Sequence, residues 1–253
     1  MRRESSTSFH LILRAQQNKV ERGTSISVVI PTLDEAKDIV SLLATLAPVR
    51  AVGGEILVVD GDSPDGTAGL AAPYADQVLS APRGRAVQMN AGAAAARGDL
   101  LVFLHADTRA PIDTLLRLPD LLARSGRSWG RFDVRIEGRH PLLPLVAWSM
   151  NQRSRLTGIA TGDQTIFVDR ALFEQVGGYP EIALMEDIAL SRRLKRHSPP
   201  LRVRDRVVTS GRRWESKGVL RTILLMWRLR LAYALGVHPD RLSHVYGYRS
   251  RPD

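Results

Sequence analysis

With 253 residues the chain is long enough for one large domain with a sizeable core, and 44% hydrophobic with 25% charged residues is the balance of a globular protein. The absence of cysteine excludes disulfides, thiolate metal sites and cysteine nucleophiles. A net charge of +10 calls for anionic company, but aromatics make up only 6% and are not interleaved with the basic residues as base stacking requires, which argues against nucleic acid.

Residues 1–24 are basic and carry no long apolar run, so they read as an arm and not as a signal peptide. Nowhere do 18 uncharged apolar residues follow one another, so no membrane span is expected. The expected location is cytoplasmic, with peripheral contact at the inner membrane face left open. From Ser25 onward, short apolar runs alternate with helical patterns. "SISVVI" (25–30) is a strand, and the segment after it puts Ile39, Leu43 and Leu46 on one helical face. "EILVVD" (55–60) is the second strand, followed by a Ser/Pro/Asp/Gly turn and a short helix, and "DQVLS" (76–80) is the third. "RAVQMNAGAAAARG" reads as an alanine-rich helix stopped at Gly98, and "DLLVFLHAD" (99–107) as a buried strand. Continuous apolar strands separated by helices predict an α/β fold, a mostly parallel sheet with helices on both faces.

The pattern changes after Pro111. A helix over Leu115–Ala123 leads to "WGRFDVRIEG", where Phe132, Val134 and Ile136 alternate with Asp133, Arg135 and Glu137, the signature of a half-exposed strand of more antiparallel character. A helix over 142–156, the loop "TGIATGDQ", a strand "TIFVD" and a short helix ending at Gly177-Gly178 come next. A helix carrying "MEDIALSRRL", a strand near "LRVRDRVV" and a long helix from Val219 to Leu235 complete the chain. The expected organisation is one domain over 25–253, with a nucleotide-binding half (25–110), an acceptor and catalytic half (111–218) and a C-terminal helix and tail (219–253).

In open α/β sheets, ligands bind beyond the carboxyl ends of the strands. Here those ends read "PTLDE" (31–35), "DGDSPDGT" (60–67) and "HADT" (105–108). Each alone reads as a turn; three in register read as a site. Glu35 and Asp60 offer acceptors for a base or ribose. Arg83 and Arg85 stand just before a helix whose N-terminus favours anions, and Asp107 can hold a divalent ion that bridges two phosphates. Glu186 and Asp187 open a helix, where acidic side chains either complement the free N–H groups or do chemistry. No G-x-G-x-x-G follows the first strand, and the chain has no P-loop, no H-E-x-x-H and no G-x-S-x-G.

"VVIPTLDE", "ILVVDGDSPDGT", "FLHADT", "VGGYP", "LMEDIALSRRL" and "SGRRW" occur in the order and approximate spacing of glycosyltransferase family 2, which the chain resembles over about residues 25–235. "GRAVQMNAGA", "WGRFDVR" and "TGDQ" make it most similar to the radical-SAM/selenodomain-associated subgroup, the arsenosugar-biosynthesis type. The resemblance implies a GT-A fold, Rossmann-like in its nucleotide-binding part, and inverting transfer of a sugar from a nucleotide-diphospho-sugar, a UDP-sugar by preference. The acceptor would be an unidentified hydroxyl, on a small molecule or a lipid. By the same resemblance Pro31, Thr32 and Glu35 line the nucleoside pocket and Asp60 meets base or ribose. Asp163 lies on the loop that builds part of the sugar pocket. Arg212, Arg213 and Trp214 stand near diphosphate and acceptor, and Trp214 offers a face to a ring. Asp187 is the general base, with Glu186 beside it. Asp107 is the metal-binding Asp of the family's D-x-D element, and His105 stands where its first Asp usually is. Histidine ligates Mn²⁺ more readily than Mg²⁺, so the ion, Mg²⁺ or Mn²⁺, is open.

Two rivals remain in view. A sugar-1-phosphate nucleotidyltransferase needs a glycine-rich basic loop after the first strand, and "PTLDEAKDI" has neither glycine nor arginine. A basic nucleic-acid-binding module predicts binding that falls steeply with salt.

Overall fold

The structure is a computed structural model that describes residues 24–247. The expected arm, residues 1–24, lies outside the described residues except for Thr24. The first half alternates as its apolar runs require: β1 (Ile26–Thr32), α1 (Ile39–Ala51), β2 (Glu55–Asp60), α2 (Thr67–Ala71), β3 (Gln77–Ser80), α3 (Arg85–Ala95) and β4 (Leu100–Phe103). A two-residue β5 (Thr108–Arg109) follows, then α4 (Ile112–Leu116), α5 (Leu118–Ser125), β6 (Trp129–Glu137) and α6 (Leu143–Thr157). A 3-10 turn (Gly162–Gln164) precedes β7 (Ile166–Asp169), α7 (Arg170–Gln175), α8 (Glu186–Leu194) and β8 (Leu201–Ser210). Three helices end the described chain: α9 (Arg212–Lys217), α10 (Val219–Ala234) and α11 (Pro239–Tyr246).

All eight strands join one sheet in the order β3-β2-β1-β4-β7-β6-β8-β5. β1 to β4 are parallel, β7 runs antiparallel between β4 and β6, and β8 is again parallel to β6. β1, β2 and β4 are buried at every position and mostly apolar because both faces are covered. Val28, Ile30, Ile56, Val58 and Val102 pack with Ile39, Leu43 and Leu46 of α1 on one face. Val29, Leu57, Val59, Leu101 and Phe103 pack with Ala86, Met89 and Ala93 of α3 and with Leu190 and Leu194 of α8 on the other. Gly92 permits the close approach of α3, since a Cβ there would overlap Val29 and Val59. A third cluster joins Leu184, Met185 and Ile188 to Leu229 and Leu242, and so fastens α10 and α11 over the start of α8.

The structure corrects four expectations. The single helix over Leu115–Ala123 is two, broken at Arg117, because Pro119 at the start of α5 lacks an N–H and disfavours helical backbone before it. The strand expected to run to Asp107 stops at Phe103, and the four residues after it turn across the sheet end. β6 is not half exposed: Arg131 and Asp133 are buried, and only Arg135 and Glu137 face water. Arg155 of α6 and Arg131 both close on Asp133, which is how a carboxylate is tolerated there. The helices α9 and α11 flank the one long helix expected near the C-terminus.

Candidate active site

The carboxyl ends of β1, β2 and β4 lie side by side, with Thr32 in register with Asp60. Thr32 Oγ1 donates to the Asp60 carboxylate at 3.0 Å, which also accepts from Ser63 N–H (2.8 Å) and Ser63 Oγ (2.6 Å). Gln88 Nε2 donates to the carbonyls of Thr32 and Val59, both at 2.8 Å, and ties α3 to these ends. Arg83 donates to the carbonyls of Gly61 and Asp62, so it shapes the turn after β2. The turn after β4 is pinned by β8: Ser210 N–H donates to Asp107 O (3.1 Å), and the Thr108 and Thr209 hydroxyls meet at 3.0 Å.

A cavity of about 180 Å³ opens at these ends, lined by Pro31, Thr32, Glu35, Arg85, Gln88, His105 and Asp107. A second, of about 80 Å³, is lined by Arg85, His105, Gly162, Asp163, Glu186, Asp187, Met226, Arg230 and Tyr246. Arg85 and His105 belong to both, so the two are neighbouring parts of one cleft. A cavity of about 660 Å³ between β6 and α6 is larger, but it contains none of the residues expected in the site. Its Arg155 is already paired with Asp133 and its Arg135 with Glu137, so volume does not mark the chemistry.

Glu186 and Asp187 begin α8 behind Met185, a non-glycine residue in the left-handed region at φ 71°. That conformation costs about 1–2 kcal/mol. Burial of Met185 in the third cluster helps to hold it. Among the described residues only Asp34, Asp62 and Thr165 share this strain, each in a loop beside a strand end. Asp187 Oδ2 accepts from Gly162 N–H at 3.0 Å and Oδ1 from Ile188 N–H at 2.7 Å, so the first turn of α8 is joined to the 162–164 turn. Glu186 is 7% exposed. Burial and the neighbouring Asp187 push its carboxyl up to about 7, against the pull of Arg85. Arg85 is set in the cleft, where desolvation opposes its charge, but Glu186, Tyr246, Asp163 and Asp107 more than compensate and raise it.

His105 Nδ1 lies 3.5 Å from Asp163 Oδ1, and its Cε1–Nε2 edge fills the space that a Cβ on Gly162 would need. Desolvation would raise Asp163, yet its hydrogen bond with His105 and the charges of His105, Arg85 and Arg230 hold it below the ordinary carboxylate range. The imidazole thus has Asp163 and Gly162 beside it, and it shares the lining of the strand-end cavity with Asp107. Asp107 forms no ion pair among the described residues; its Oδ1 accepts from Thr108 Oγ1 at 3.3 Å, and the side chain lines the cleft. No group of three or more His, Asp or Glu side chains among the described residues could hold a metal by itself. The donor set fits an ion held by one carboxylate and completed by phosphate and water.

The three residues of the "RRW" element point three ways. Arg212 bridges Glu35 (3.1 Å) and Asp38 (3.2 Å) across the mouth of the cleft. Burial raises Glu35, against the hydrogen bond and charge of Arg212. Arg213 stacks on Tyr246 at 3.5 Å from the ring centroid and donates to the Tyr246 carbonyl, which fixes α11 over the cleft. Trp214 packs against the main core and lines neither cavity, so its ring is not presented to a ligand there. Met226, Arg230 and Tyr246 line the second cavity, a placement not revealed by the sequence. Arg230 reads there as one of three arginines interrupting an apolar helix, and only packing on α8 turns it inward.

A family model described as glycosyl transferase family 2 matches residues 27–175. Over 86 residues, 34% of this chain and 38% of its relative, the sequence is 40% identical to an uncharacterized glycosyltransferase of Mycobacterium bovis. The structure of S. aureus TarS in complex with UDP-GlcNAc superposes with a TM-score of 0.61 at 18% identity, over 74% of this chain and 58% of that one. The mannosyltransferase PcManGT from Pyrobaculum calidifontis, in complex with GDP-Man and Mn²⁺, gives 0.61 at 22% identity over 83% and 61%. Glucosyl-3-phosphoglycerate synthase from Mycobacterium tuberculosis, with Mg²⁺ and UDP, gives 0.55 at 22% identity over 75% and 71%. At these identities the likeness is one of fold, and the fold is GT-A. The chain spans 38% of the length of the curated relative and about three-fifths of the first two structures.

Proposed function

Because this chain belongs to glycosyl transferase family 2, we propose that it moves a sugar from a nucleotide-diphospho-sugar to a hydroxyl acceptor, with inversion at the anomeric carbon. The observation that carries the reading is the shared wall of the two cavities. The strand-end cavity with Thr32, Glu35 and Asp107 meets the Glu186–Asp187 cavity at Arg85 and His105. A donor spanning both places its nucleoside at the strand ends and its anomeric carbon in front of Asp187. A UDP-sugar is the donor class proposed, since TarS and the synthase are described with UDP-GlcNAc and UDP. Kinship with the radical-SAM/selenodomain-associated subgroup is part of the same proposal.

Asp187 accepts the proton of the acceptor hydroxyl while that oxygen attacks the anomeric carbon. The bond from that carbon to the diphosphate breaks, and its electron pair leaves with the phosphate oxygen. Glu186, whose carboxyl is pushed up by burial and by Asp187, adds little negative charge beside the acceptor of the proton. The two backbone N–H groups on Asp187 hold the carboxylate in place. Arg85 stands between the cavities where charge develops on the leaving group. Asp107, with diphosphate oxygens, would hold a divalent ion, Mg²⁺ or Mn²⁺, which when bound supplies neutralisation of the departing diphosphate. His105 serves by holding Asp163 and the 162–164 turn.

The outer face of α10 favours attachment to an anionic membrane surface. Leu220, Leu224, Trp227, Leu231 and Leu235, each more than three-fifths exposed, form one stripe at helical spacing, with exposed Arg221 and Arg228 beside it. No helix among the described residues is long and apolar enough to cross a membrane. The proposed location is cytoplasmic, with the exposed stripe of α10 laid on the inner membrane face.

The test is Asp187→Asn, which keeps shape and removes the proton acceptor. Turnover at saturating donor and acceptor should fall by about 10²–10⁴-fold with donor affinity nearly unchanged. Turnover near that of the parent would refute the assignment.

A further inference from the structure

The cavity before Asp187 is lined by one arginine, Arg230, that donor binding does not account for. Arg85 and Asp107 serve the strand-end side. On the far side of Asp187 stands Arg230 of α10, and behind it Arg153 of α6, within electrostatic reach of Arg230, Asp187 and Asp163. Several other arginines close on carboxylates: Arg131 and Arg155 on Asp133, Arg212 on Glu35 and Asp38. Arg153 and Arg230 form no ion pair among the described residues. Nε and Nη2 of Arg153 are buried without a hydrogen-bond partner.

The neighbouring acids are already engaged. Asp163 is held by His105, and Asp187 accepts from Gly162 and Ile188. Burial, then the charge of Arg230, pushes Arg153 down to about 10, and burial also lowers Arg230. A cavity-lining guanidinium with a second behind it, whose donors lie unpartnered in a poorly solvated place, is costly unless an anion joins them.

Given that Asp187 is the base, the acceptor hydroxyl must approach from this side. We infer that Arg153 and Arg230 bind an anionic group of the phosphate class on the acceptor, and so hold its hydroxyl against Asp187. A phosphate or phosphodiester suits the pair because its several oxygens can take hydrogen bonds from two guanidinium forks at once. The same chemistry is found on a soluble phosphomonoester and on a phospholipid headgroup. The second source is favoured by α10, whose Met226 and Arg230 line the cavity while its outer face carries the apolar stripe.

The experiment titrates glycerol 3-phosphate into the full chain by calorimetry, with the donor site filled by saturating UDP and Mg²⁺. Binding to the parent is expected, and Arg153→Gln and Arg230→Gln should each weaken it about tenfold or more while leaving UDP affinity unchanged. Arg230 is only partly buried, so its variant keeps the test decisive where Arg153→Gln does not fold. A second arm replaces the probe by vesicles of phosphatidylglycerol or phosphatidylcholine. Capture by the former alone, reduced in the arginine variants, with weak glycerol 3-phosphate binding, supports the site and identifies a lipid source. Equal affinity for both probes in parent and variants, or no binding of either by the parent, would overturn the inference. So would loss of UDP affinity in the same variants, because the arginines would then belong to the donor. The transferase reading fails separately, through unchanged turnover in Asp187→Asn, and leaves arginine-dependent phosphate binding intact.

Discussion

Glu186 and Asp187 are chain neighbours in one small cavity, and the fold makes them unequal. Glu186→Gln preserves the shape of the protonated acid and removes only its ionised form. In the folded chain the carboxyl is raised from 4.5 to about 7, first by burial and then by Asp187. Between those values the folded chain keeps a proton that the unfolded chain has released. Stability therefore falls as pH rises through this window, and the full penalty is present above about 7. At about 1.4 kcal/mol per pH unit the window amounts to about 3 kcal/mol. Glu186→Gln should thus be more stable than the parent by about 2–3 kcal/mol at pH 8, or about 4–12 °C in Tm for a chain of this size. At pH 5 the gain should shrink to less than about 1 kcal/mol. Scanning calorimetry at the two pH values measures it. An equal gain at both, or a variant less stable than the parent at pH 8, would refute the claim that this carboxyl is driven toward neutrality. Asp187→Asn removes the second cause and should flatten the parent's own decline.

Asp107→Ala should reduce UDP affinity in Mn²⁺ to the value seen in chelator, and retained metal-dependent affinity would take Asp107 out of the site. Gly162→Ala puts a Cβ into the His105 imidazole and shifts the turn whose N–H holds Asp187. The variant should fold by circular dichroism yet lose about 10- to 100-fold in kcat, whereas an unchanged kcat would separate that turn from the chemistry. If α10 is a membrane face, the chain should sediment with phosphatidylglycerol vesicles and be released by salt well above about 0.15 M. Leu224→Glu with Trp227→Glu should abolish sedimentation, and persistence in that double variant would exclude the stripe as the contact.

The parallel half is legible in the sequence for a physical reason. A strand buried on both faces must be mostly apolar, and "ISVVI", "EILVV" and "LLVF" announce themselves without reference to anything distant. Its polar strand ends are legible for the complementary reason, since the chain must turn there and Pro, Asp, Ser and Gly are the residues that turn it. The second half reads less well because its alternation is ambiguous. Asp133 and Arg131 sit at positions that look outward, and only α6, folding back with Arg155, allows them to be buried as ions. That Trp214 leans against the core is not legible either, because nothing local says which side of α9 meets the sheet.

The same division runs through the site. The residue types near Glu35, Asp107, Asp163 and Asp187 are set by the sequence, and so is the presence of acidic side chains in the first turn of α8. That Arg85 and His105 form the wall between two cavities follows from the strand order, which brings residues far apart in the chain to one sheet end. That Glu186 holds its proton toward neutral pH while Asp187 is held by two N–H groups is decided by burial differing between adjacent positions. The inward turn of Arg230 and the unpartnered Arg153 depend on α10 closing over α8. Charge type and periodicity are local properties of a chain, but the dielectric around a charge, and whether a partner reaches it, belong to the packed whole.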